Sequence, residues 1–249
     1  TENMLLKNLK ALKIKKNRRK QNYIKVFGKK YLEPLKINVG GDPSSAAFFV
    51  ALTLLVPNSR LKIKNVGLNP KRIGFYNILK KHGAKIKFKN IIKINHERIG
   101  DIFIESSKLK ALKVGSEYYG SATDEYPILF VIAALTQGTS VFRGIRDLAN
   151  KESNRIEEMK KIFDQIGIKC KTNKNEMKIF GISELKNRNK AIKVPNLGDH
   201  RICMSAKILS LVTGIRTEIK NFETVKTSSP SFLKIIKLLG GKFEIKKTL

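Results

Sequence analysis

Three segments of the chain share one pattern of apolar and polar positions, which predicts a repeated α/β unit. Each segment starts with an acidic residue, Asp42, Asp124 or Asp199, followed by an apolar run of helix length. A turn and a short strand come next, and then a polar loop, an amphipathic helix, a glycine and another strand. We predict β-α-β-α-β-β units, or a permutation of that order. The units span about residues 42–115, 124–195 and 199–249.

Each unit carries residues suited to the ends of its helices. The Asp before each apolar helix is an N-cap residue type, because its carboxylate accepts hydrogen bonds from free N–H groups. A glycine after each amphipathic helix suits a left-handed C-cap, at Gly83, Gly167 and Gly240. Since the first helices are apolar on most sides, we expect them inside, with the sheets outside. The strands predicted after the glycines are Ala84–Phe88 with Ile91–Ile94, Ile168–Lys171, and Lys242–Ile245.

The first 37 residues do not fit the repeat as a complete unit. They show a helical pattern over Glu2–Leu9, a strand at Leu12–Lys16 and a hairpin-like strand at Tyr23–Phe27. We expect residues 1–37 to be the tail of a preceding domain and residues 38–249 to form a second domain. The chain begins with Thr1 inside a helical pattern, which predicts a fragment whose upstream part is missing.

The composition describes a globular and strongly basic chain. It has 249 residues, 51 Lys+Arg against 20 Asp+Glu, a net charge of +31 and 41% hydrophobic residues, enough for a core. Forty of the basic residues are Lys, and Trp is absent, which disfavours base reading and stacking. The charge fits a solvated lysine coat, or an electrostatic funnel for nucleic acid or a small phosphorylated substrate.

Cysteines and apolar runs exclude several classes of protein. Cys170 and Cys203 lie far apart without a metal-ligand pattern, which argues against a disulfide scaffold or zinc module and fits a reducing cytoplasm. No apolar stretch approaches the roughly 18 residues that span a bilayer, so we expect no membrane partner.

Charged clusters occur where three helices are predicted to start. Asp124-Glu125 and Asp199-His200-Arg201 begin apolar helices, and Lys151 to Arg155 begins an amphipathic helix. On a helix Lys151 and Arg155 share one face as i,i+4 neighbours, where two cations call for an anion. Taken singly, each cluster fits a simple cap or a solvated charged face. Stacked repeats would bring the helix starts to one end, where Arg suits a phosphate or carboxylate.

Five motifs in order resemble one known family. They are Gly41-Asp42-Pro43-Ser44-Ser45-Ala46-Ala47-Phe48, Asp124-Glu125-Tyr126-Pro127, Lys151-Glu152-Ser153-Asn154-Arg155, Gly198-Asp199-His200-Arg201-Ile202-Cys203-Met204 and Thr227-Ser228-Ser229-Pro230-Ser231-Phe232. Together they resemble the C-terminal part of the 5-enolpyruvylshikimate-3-phosphate synthase family. The resemblance implies an inside-out α/β barrel of βαβαββ units in a two-domain enzyme whose N-terminal domain is missing here.

The resemblance also implies a reaction and its residues. The family transfers the enolpyruvyl group of phosphoenolpyruvate to the 5-hydroxyl of shikimate 3-phosphate, releasing phosphate, without a metal or other cofactor. By this resemblance Asp124 is an acid/base that contacts the shikimate hydroxyls, and Glu152 transfers a proton at the methylene carbon. The implied binding and supporting residues are Lys151 for the shikimate phosphate, Arg155 and Arg201 for phosphoenolpyruvate, and His200 as support, with Lys226 or Thr227 near a further lysine position.

Departures from the family and alternative functions stay open at this stage. Asn154 replaces a usual Asp, and Asp147 stands where some members contact the shikimate phosphate, which an acid is not expected to do. The alternatives are a UDP-N-acetylglucosamine enolpyruvyl transferase, or an inert basic half-enzyme that binds anions or nucleic acid. The Lys-Glu-Ser and Asp-His-Arg motifs favour the shikimate enzyme over the UDP-N-acetylglucosamine enzyme. We expect a monomer when complete and no nucleic-acid partner.

Overall fold

A computed structural model describes residues 12–16, 22–26, 38–182 and 191–246. The predicted helix Glu2–Leu9 lies outside the described residues. The first elements are β1 (Leu12–Lys16), β2 (Asn22–Val26), α1 (Pro43–Leu55), β3 (Arg60–Gly67), α2 (Gly74–Lys81), β4 (Lys85–Ile94), β5 (Glu97–Glu105), β6 (Lys113–Val114) and α3 (Tyr119–Ala122). They are followed by α4 (Tyr126–Ala134), β7 (Gly138–Arg143), α5 (Arg155–Asp164), β8 (Cys170–Thr172), β9 (Glu176–Gly181), β10 (Ile192–Val194), α6 (His200–Thr213), β11 (Thr217–Ile219) and α7 (Phe232–Leu238).

The three apolar helices form the centre of the molecule. Helices α1, α4 and α6 contact one another in all three pairs. Every residue of α4 is buried, so this helix has no solvent-facing side. Phe232 of α7 packs edge-on against Phe48 of α1, with ring centroids 6.1 Å apart. The expectation that the apolar helices lie inside is confirmed.

Sheets cover this helical centre from the outside. The first has the antiparallel order β3-β5-β4, and the second has the order β6-β7-β9-β8. The third, within the described residues, contains only the parallel pair β10-β11. Along β3 exposed lysines alternate with partly buried apolar residues, as expected for a sheet with one solvent-exposed face. The architecture is the inside-out α/β arrangement, with helices inside and sheets outside.

The opening strands form the predicted hairpin. Strands β1 and β2 pair antiparallel, with Leu12 opposite Val26 and Lys16 opposite Asn22. The assignment of residues 1–37 to a separate domain stays a prediction.

Most predicted helix ends are confirmed. The Asp42 carboxylate accepts a hydrogen bond from the Ser45 N–H at 2.8 Å at the start of α1. Asp199 does the same for Arg201 at the start of α6, at 2.9 Å. Gly83, Gly167 and Gly240 all have positive φ, at 100°, 76° and 85°, as left-handed C-caps require.

The prediction that Asp124 is an N-cap is wrong. It lies within a 3-10 turn, Thr123–Glu125, and α4 begins only at Tyr126. Glu125 occupies the cap position and makes no side-chain cap hydrogen bond. The Asp124 carboxylate pairs instead with two arginines from other elements, and these ion pairs replace the cap interaction.

Two predicted strand boundaries differ from the structure. The strands predicted at Ala84–Phe88 and Ile91–Ile94 are one strand, β4, interrupted by an irregularity in register between Lys89 and Ile92. The strand predicted at Lys242–Ile245 is wrong, because these residues form no strand and pair with no other strand of the described chain. An alternating apolar pattern specifies a strand only where a neighbouring edge supplies hydrogen-bond partners.

The described residues were compared with what a membrane span and a metal site each require. Within residues 12–16, 22–26, 38–182 and 191–246, no helix combines the length and apolar character needed to cross a membrane. The same residues contain no cluster of three His, Cys, Asp or Glu side chains that could hold a metal ion.

Candidate active site

The starts of the three central helices lie at one end of the molecule, as the repeat predicted. Residues next to the first turns of α1, α4 and α6 interact across the repeats: Ser44 bonds to Glu125, and Asp124 pairs with Arg201. The start of α5 joins them, because Arg155 pairs with Asp199. The starts of α4, α5 and α6 therefore bring their charged residues into one cluster, and the start of α1 adjoins it through Ser44.

Arg155 lies at the centre of this charged cluster and is only 1% exposed. Its Nε donates to Asp199 Oδ2 at 2.9 Å, and its Nη2 donates to Glu152 Oε2 at 2.6 Å. Its Nη1 lies 3.8 Å from Asp124 Oδ1. A buried guanidinium is tolerated only when carboxylates and hydrogen bonds offset its desolvation, and here three carboxylates do so.

Asp199 fixes the position of Arg155 and is itself fully buried. It caps α6 and also accepts a hydrogen bond from the Ser153 hydroxyl at 2.9 Å. Burial alone would raise the pKa of Asp199, but the hydrogen bond and charge of Arg155 hold it below its usual value. One ionised carboxylate thereby joins the start of α6, the start of α5 and the loop before α5.

Arg201 supplies a second buried guanidinium on the first turn of α6. It is 8% exposed, and its Nη2 lies 3.3 Å from Asp124 Oδ2. Asp124 therefore lies between two arginines, one oxygen facing each, while 43% of its side chain is exposed. The arginines are buried and the carboxylate between them faces solvent, which leaves one open side to the cluster.

The prediction that Lys151 and Arg155 share a helix face is wrong. Helix α5 begins at Arg155, and Asn154 caps it by accepting from the Glu157 N–H at 3.2 Å. Since Asn is a strong N-cap, the residues before it take a non-helical path. Lys151 turns to Asp147, with Nζ 3.0 Å from Oδ2, and away from Arg155. The Lys151 ammonium is therefore already paired with the Asp147 carboxylate.

Three buried nitrogens at the cluster have no hydrogen-bond partner among the described residues: Arg155 Nη1, Arg201 Nε and His200 Nε2. Buried donors without a partner are rare, and water, an ion or a ligand can supply the missing acceptor. Burial and the charge of Arg201 lower the pKa of His200, so its imidazole is neutral at neutral pH. The predicted supporting residue therefore lies at the site without adding a charge.

Glu125 is a residue of this region to which the sequence assigned no role. Its side chain is 3% exposed, and burial raises its pKa to about 7. The hydrogen bond from Ser44 and the charge of Arg201 oppose that rise. Its position beside Asp124 was the only signal in the sequence.

In the described part of the chain, no hydrogen bond or ion pair joins Lys226 or Thr227 to this cluster. They end the 3-10 helix Phe222–Thr227, where Lys226 pairs with Glu223 and is 66% exposed. The Thr227 hydroxyl donates to the Thr224 carbonyl at 2.8 Å.

The cluster has the chemistry of an anion site with proton-transfer groups at its rim. Two guanidiniums present planar donor forks that match carboxylate and phosphate oxygens. Asp124 and Glu152 are 43% and 47% exposed, so both carboxylates reach solvent from the same cluster. Lys151 is 28% exposed at the edge and supplies a further cation.

Comparison with known proteins shows which family this chain resembles. The sequence model of the family described as EPSP synthase (3-phosphoshikimate 1-carboxyvinyltransferase) matches residues 1–236. A 3-phosphoshikimate 1-carboxyvinyltransferase of Zymomonas mobilis is 37% identical over 224 residues, which are 89% of this chain and 49% of that protein. The enzyme of the same name from Bacillus subtilis is 36% identical over 89% of this chain and 51% of its own length.

Solved structures give the same result. An EPSP synthase structure from Acinetobacter baumannii has a TM-score of 0.82 and 31% identity, over 99% of this chain and 55% of that one. The enolpyruvyl transferase NikO from Streptomyces tendae shares the fold, with a TM-score of 0.69 at 13% identity, over 93% of this chain and 50% of that one. The chain spans about half the length of the relatives it matches. By its sequence and its fold, this chain belongs to the EPSP synthase family.

Proposed function

We propose that this chain forms part of an enzyme that transfers the enolpyruvyl group of phosphoenolpyruvate to the 5-hydroxyl of shikimate 3-phosphate and releases phosphate. The observation that carries the proposal is the pair of buried guanidiniums, Arg155 and Arg201, with Asp124 between them. Membership of the EPSP synthase family supports the choice of substrates. The product would lead toward chorismate and the aromatic amino acids.

Arg155 and Arg201 would bind phosphoenolpyruvate. Both arginines have a buried nitrogen without a hydrogen-bond partner among the described residues, and the substrate carries acceptor oxygens on its carboxylate and phosphate. Charge-assisted bonds of this kind are roughly twice as strong as neutral ones. An incoming anion would share these guanidiniums with Asp124 and Glu152, which lie on their exposed side.

Asp124 and Lys151 would hold shikimate 3-phosphate beside that anion. The exposed Asp124 carboxylate accepts hydrogen bonds from substrate hydroxyls, and the Lys151 ammonium pairs with the phosphate. Lys151 is engaged by Asp147 at 3.0 Å. Its use would therefore require the phosphate to displace that carboxylate, which is exposed and easily solvated.

The reaction would proceed by addition and then elimination. In the addition the 5-hydroxyl oxygen bonds to C2 of phosphoenolpyruvate as the carbon–carbon double bond opens, Asp124 takes the hydroxyl proton, and the protonated form of Glu152 gives its proton to the methylene carbon. In the elimination the methyl carbon returns a proton to Glu152 as the double bond reforms, the C2–O bond to phosphate breaks, and Asp124 passes the hydroxyl proton to the leaving phosphate. The neutral imidazole of His200 would support the arginines without competing for the anion.

Other features extend the proposal. The half of the relatives that this chain does not match would supply the opposite wall of the cleft, and the 249-residue chain alone would bind anions only weakly. We propose a monomer when complete, without a cofactor. The thiols of Cys170 and Cys203 are unpaired, which supports a reducing cytoplasm.

The alternative functions are less well supported. The Zymomonas mobilis and Bacillus subtilis relatives are both named for the shikimate substrate, which favours that substrate over UDP-N-acetylglucosamine. Nucleic-acid binding would use the exposed lysines of the sheets, whereas the arginines of the cluster are buried and belong to a different kind of site.

Phosphate release from the two substrates tests the proposal. We would measure it for this chain alone and for this chain combined with the unmatched half of the Bacillus subtilis relative. We expect release only from the combination, reduced about 100-fold or more by Asp124→Ala as expected for a lost acid/base. Arg201→Gln should raise the KM for phosphoenolpyruvate. The control is Arg216→Gln, which should leave that KM unchanged because Arg216 is exposed and lies beyond the far end of α6.

Two results would contradict this proposal. Saturable turnover by the chain alone would refute the need for a second half. Turnover that survives both Asp124→Ala and Arg201→Gln would remove the charged cluster from the reaction.

A further inference from the structure

We propose that Glu125 takes up a proton when an anion binds at Arg155 and Arg201 and releases it when the anion leaves, so that this buried carboxyl sets the charge of the site. The inference rests on the proposed function, because it requires that the charged cluster bind an anion. It assigns a role to a side chain that no step of the proposed reaction uses.

Glu125 lies where the three repeats meet. Its carboxyl accepts a hydrogen bond from Ser44 of the first repeat and interacts with the charge of Arg201 of the third. The Ser44 hydroxyl in turn accepts from Arg72 Nη2 at 3.0 Å. The same Arg72 nitrogen bonds to Asp42 at 3.2 Å, so this arginine is already neutralised by a carboxylate of its own repeat.

The groups that face Glu125 do not supply a cation of its own. On its own turn Asp124 repels it, from α6 Arg201 attracts it, and Arg201 is already paired with Asp124 at 3.3 Å. Tyr76 of α2 is buried, and its hydroxyl donates to the Pro43 carbonyl at 2.6 Å and not to Glu125. The charged and titratable groups facing it are therefore Arg72, Tyr76, Asp124 and Arg201.

The charge balance of the cluster explains why a proton should follow the anion. Two guanidinium charges, Arg155 and Arg201, face three carboxylates: Asp124, Glu152 and Asp199. An ionised Glu125 adds a fourth negative charge within reach of Arg201. A bound anion brings further negative charge into the same buried region, where repulsion is strong because water screens it poorly. Protonating Glu125 removes one negative charge from the site.

The protonation equilibrium of Glu125 places this exchange near neutrality. Burial raises the pKa of Glu125 to about 7, so both forms are populated before an anion arrives. A bound anion raises that pKa further. Anion affinity is therefore highest below the free-state pKa and falls as the pH rises through it, because above it each binding event must draw a proton from solvent.

Calorimetric titration with sulfate tests the inference, since sulfate keeps a constant charge near neutral pH. The dependence of the binding enthalpy on buffer ionisation gives the protons taken up per sulfate bound. Sulfate that binds to surface lysines also contributes heat. This contribution is removed by subtracting the heat measured for the Arg201→Gln variant from that of the wild-type chain. We expect the wild-type chain to take up a substantial fraction of a proton at about pH 7 and to lose about fivefold in affinity between about pH 6 and about pH 8.

Variants identify the group responsible. Glu125→Gln should abolish the uptake, make the affinity independent of pH and tighten binding at about pH 8, which structural damage would not do. His200→Asn should retain the uptake, although His200 also lies at the site. Glu105→Gln should behave as wild type, because Glu105 pairs with Arg60 on β3, near the opposite end of α1.

The outcomes separate this inference from the proposed function. Sulfate binding without proton uptake, or uptake that persists in Glu125→Gln or vanishes in His200→Asn, would overturn the role of Glu125 and leave the anion site standing. Binding of sulfate and phosphoenolpyruvate indistinguishable between wild type and Arg201→Gln would overturn the anion site itself, and the inference with it.

Discussion

At the scale of single residues, the sequence identified the charged groups of the site but not their pairing. Asp124, Glu152, Arg155 and Arg201 meet in one cluster, as expected from their positions at helix starts. The local sequence pattern predicted that Asp124 caps a helix, whereas in the structure its carboxylate lies between two arginines. The difference arises because its partners lie 31 and 77 positions further along the chain, beyond the reach of a local pattern.

Glu125 illustrates the same limit. An acidic residue next to another at a helix start gives no sign of burial, which depends on how three repeats pack. Its 3% exposure and its bond to Ser44 come from contacts across 81 positions of the chain.

Asp199 is predicted to be the residue on which the stability of the cluster depends most. The guanidinium of Arg155 is 1% exposed, and Asp199, 2.9 Å away, is its fully buried carboxylate partner. Asp199→Ala removes that partner. Breaking a buried pair in this way costs about 3–5 kcal/mol, and the lost cap adds to that cost. Urea unfolding at neutral pH measures the change.

An exposed ion pair supplies the control for Asp199. Asp164 pairs with Lys160 at 2.8 Å on the surface of α5, and Asp164→Ala should cost only about 0.3–0.5 kcal/mol. Equal losses in the two variants would show that burial of the Arg155–Asp199 pair does not matter.

At the scale of elements, the periodic pattern predicted which segments become helices but not every strand. Helices α1, α4 and α6 are mainly apolar, and their interior position follows from that composition. Residues 242–245 show the reverse case, because their apolar alternation has no partner strand in the described chain. Hydrogen bonding between strands is non-local, and a pattern in one segment does not reveal whether its neighbour is present.

One buried carboxylate organises the sheet β3-β5-β4. Asp101 of β5 accepts from the Asn65 N–H at 3.1 Å and the Asn90 amide at 2.8 Å, and pairs with Lys62 at 3.0 Å. Asn65 and Asn90 both have positive φ and lie at the two register irregularities of the sheet. The carboxylate therefore holds both irregular strands to the central one.

The stability of this sheet should depend on pH through Asp101. Its hydrogen bonds with Asn90, Lys62 and Asn65 lower its pKa to about 2. A carboxyl with a lowered pKa stabilises the fold fully above its unfolded value, and that contribution is lost as the pH falls towards about 2. Asp101→Asn should therefore unfold at lower urea than wild type at neutral pH, and the difference should shrink in acid.

The matched control for this prediction is Glu105→Gln. Glu105 lies on the same strand but is 52% exposed, with Arg60 3.9 Å away, so its removal should change stability little at any pH. A constant gap between Asp101→Asn and wild type from neutral pH into acid would refute the assigned role of the ionised carboxylate.

At the scale of the whole molecule, the repeat predicted the convergence of helix starts, whereas the net charge of +31 did not predict where the buried arginines lie. Exposed lysines line the outer face of the first sheet, on β3 and β4, whereas the buried arginines lie at the starts of the central helices. The net charge counts the exposed lysines and the buried arginines together and does not distinguish their positions. Only the packing of the repeats separates a lysine-rich surface from a site with two buried guanidiniums.

The central claim is that Arg155 and Arg201 together hold the anionic substrate. The most direct measurement is a titration of the chain with phosphoenolpyruvate, followed by the side-chain NMR signals of its arginines. We predict that the signals of Arg155 and Arg201 shift together and saturate, while that of Arg216, 73% exposed beyond the far end of α6, does not follow them. Shifts spread over exposed arginines and lysines without saturation, with Arg155 and Arg201 unmoved, would contradict the account.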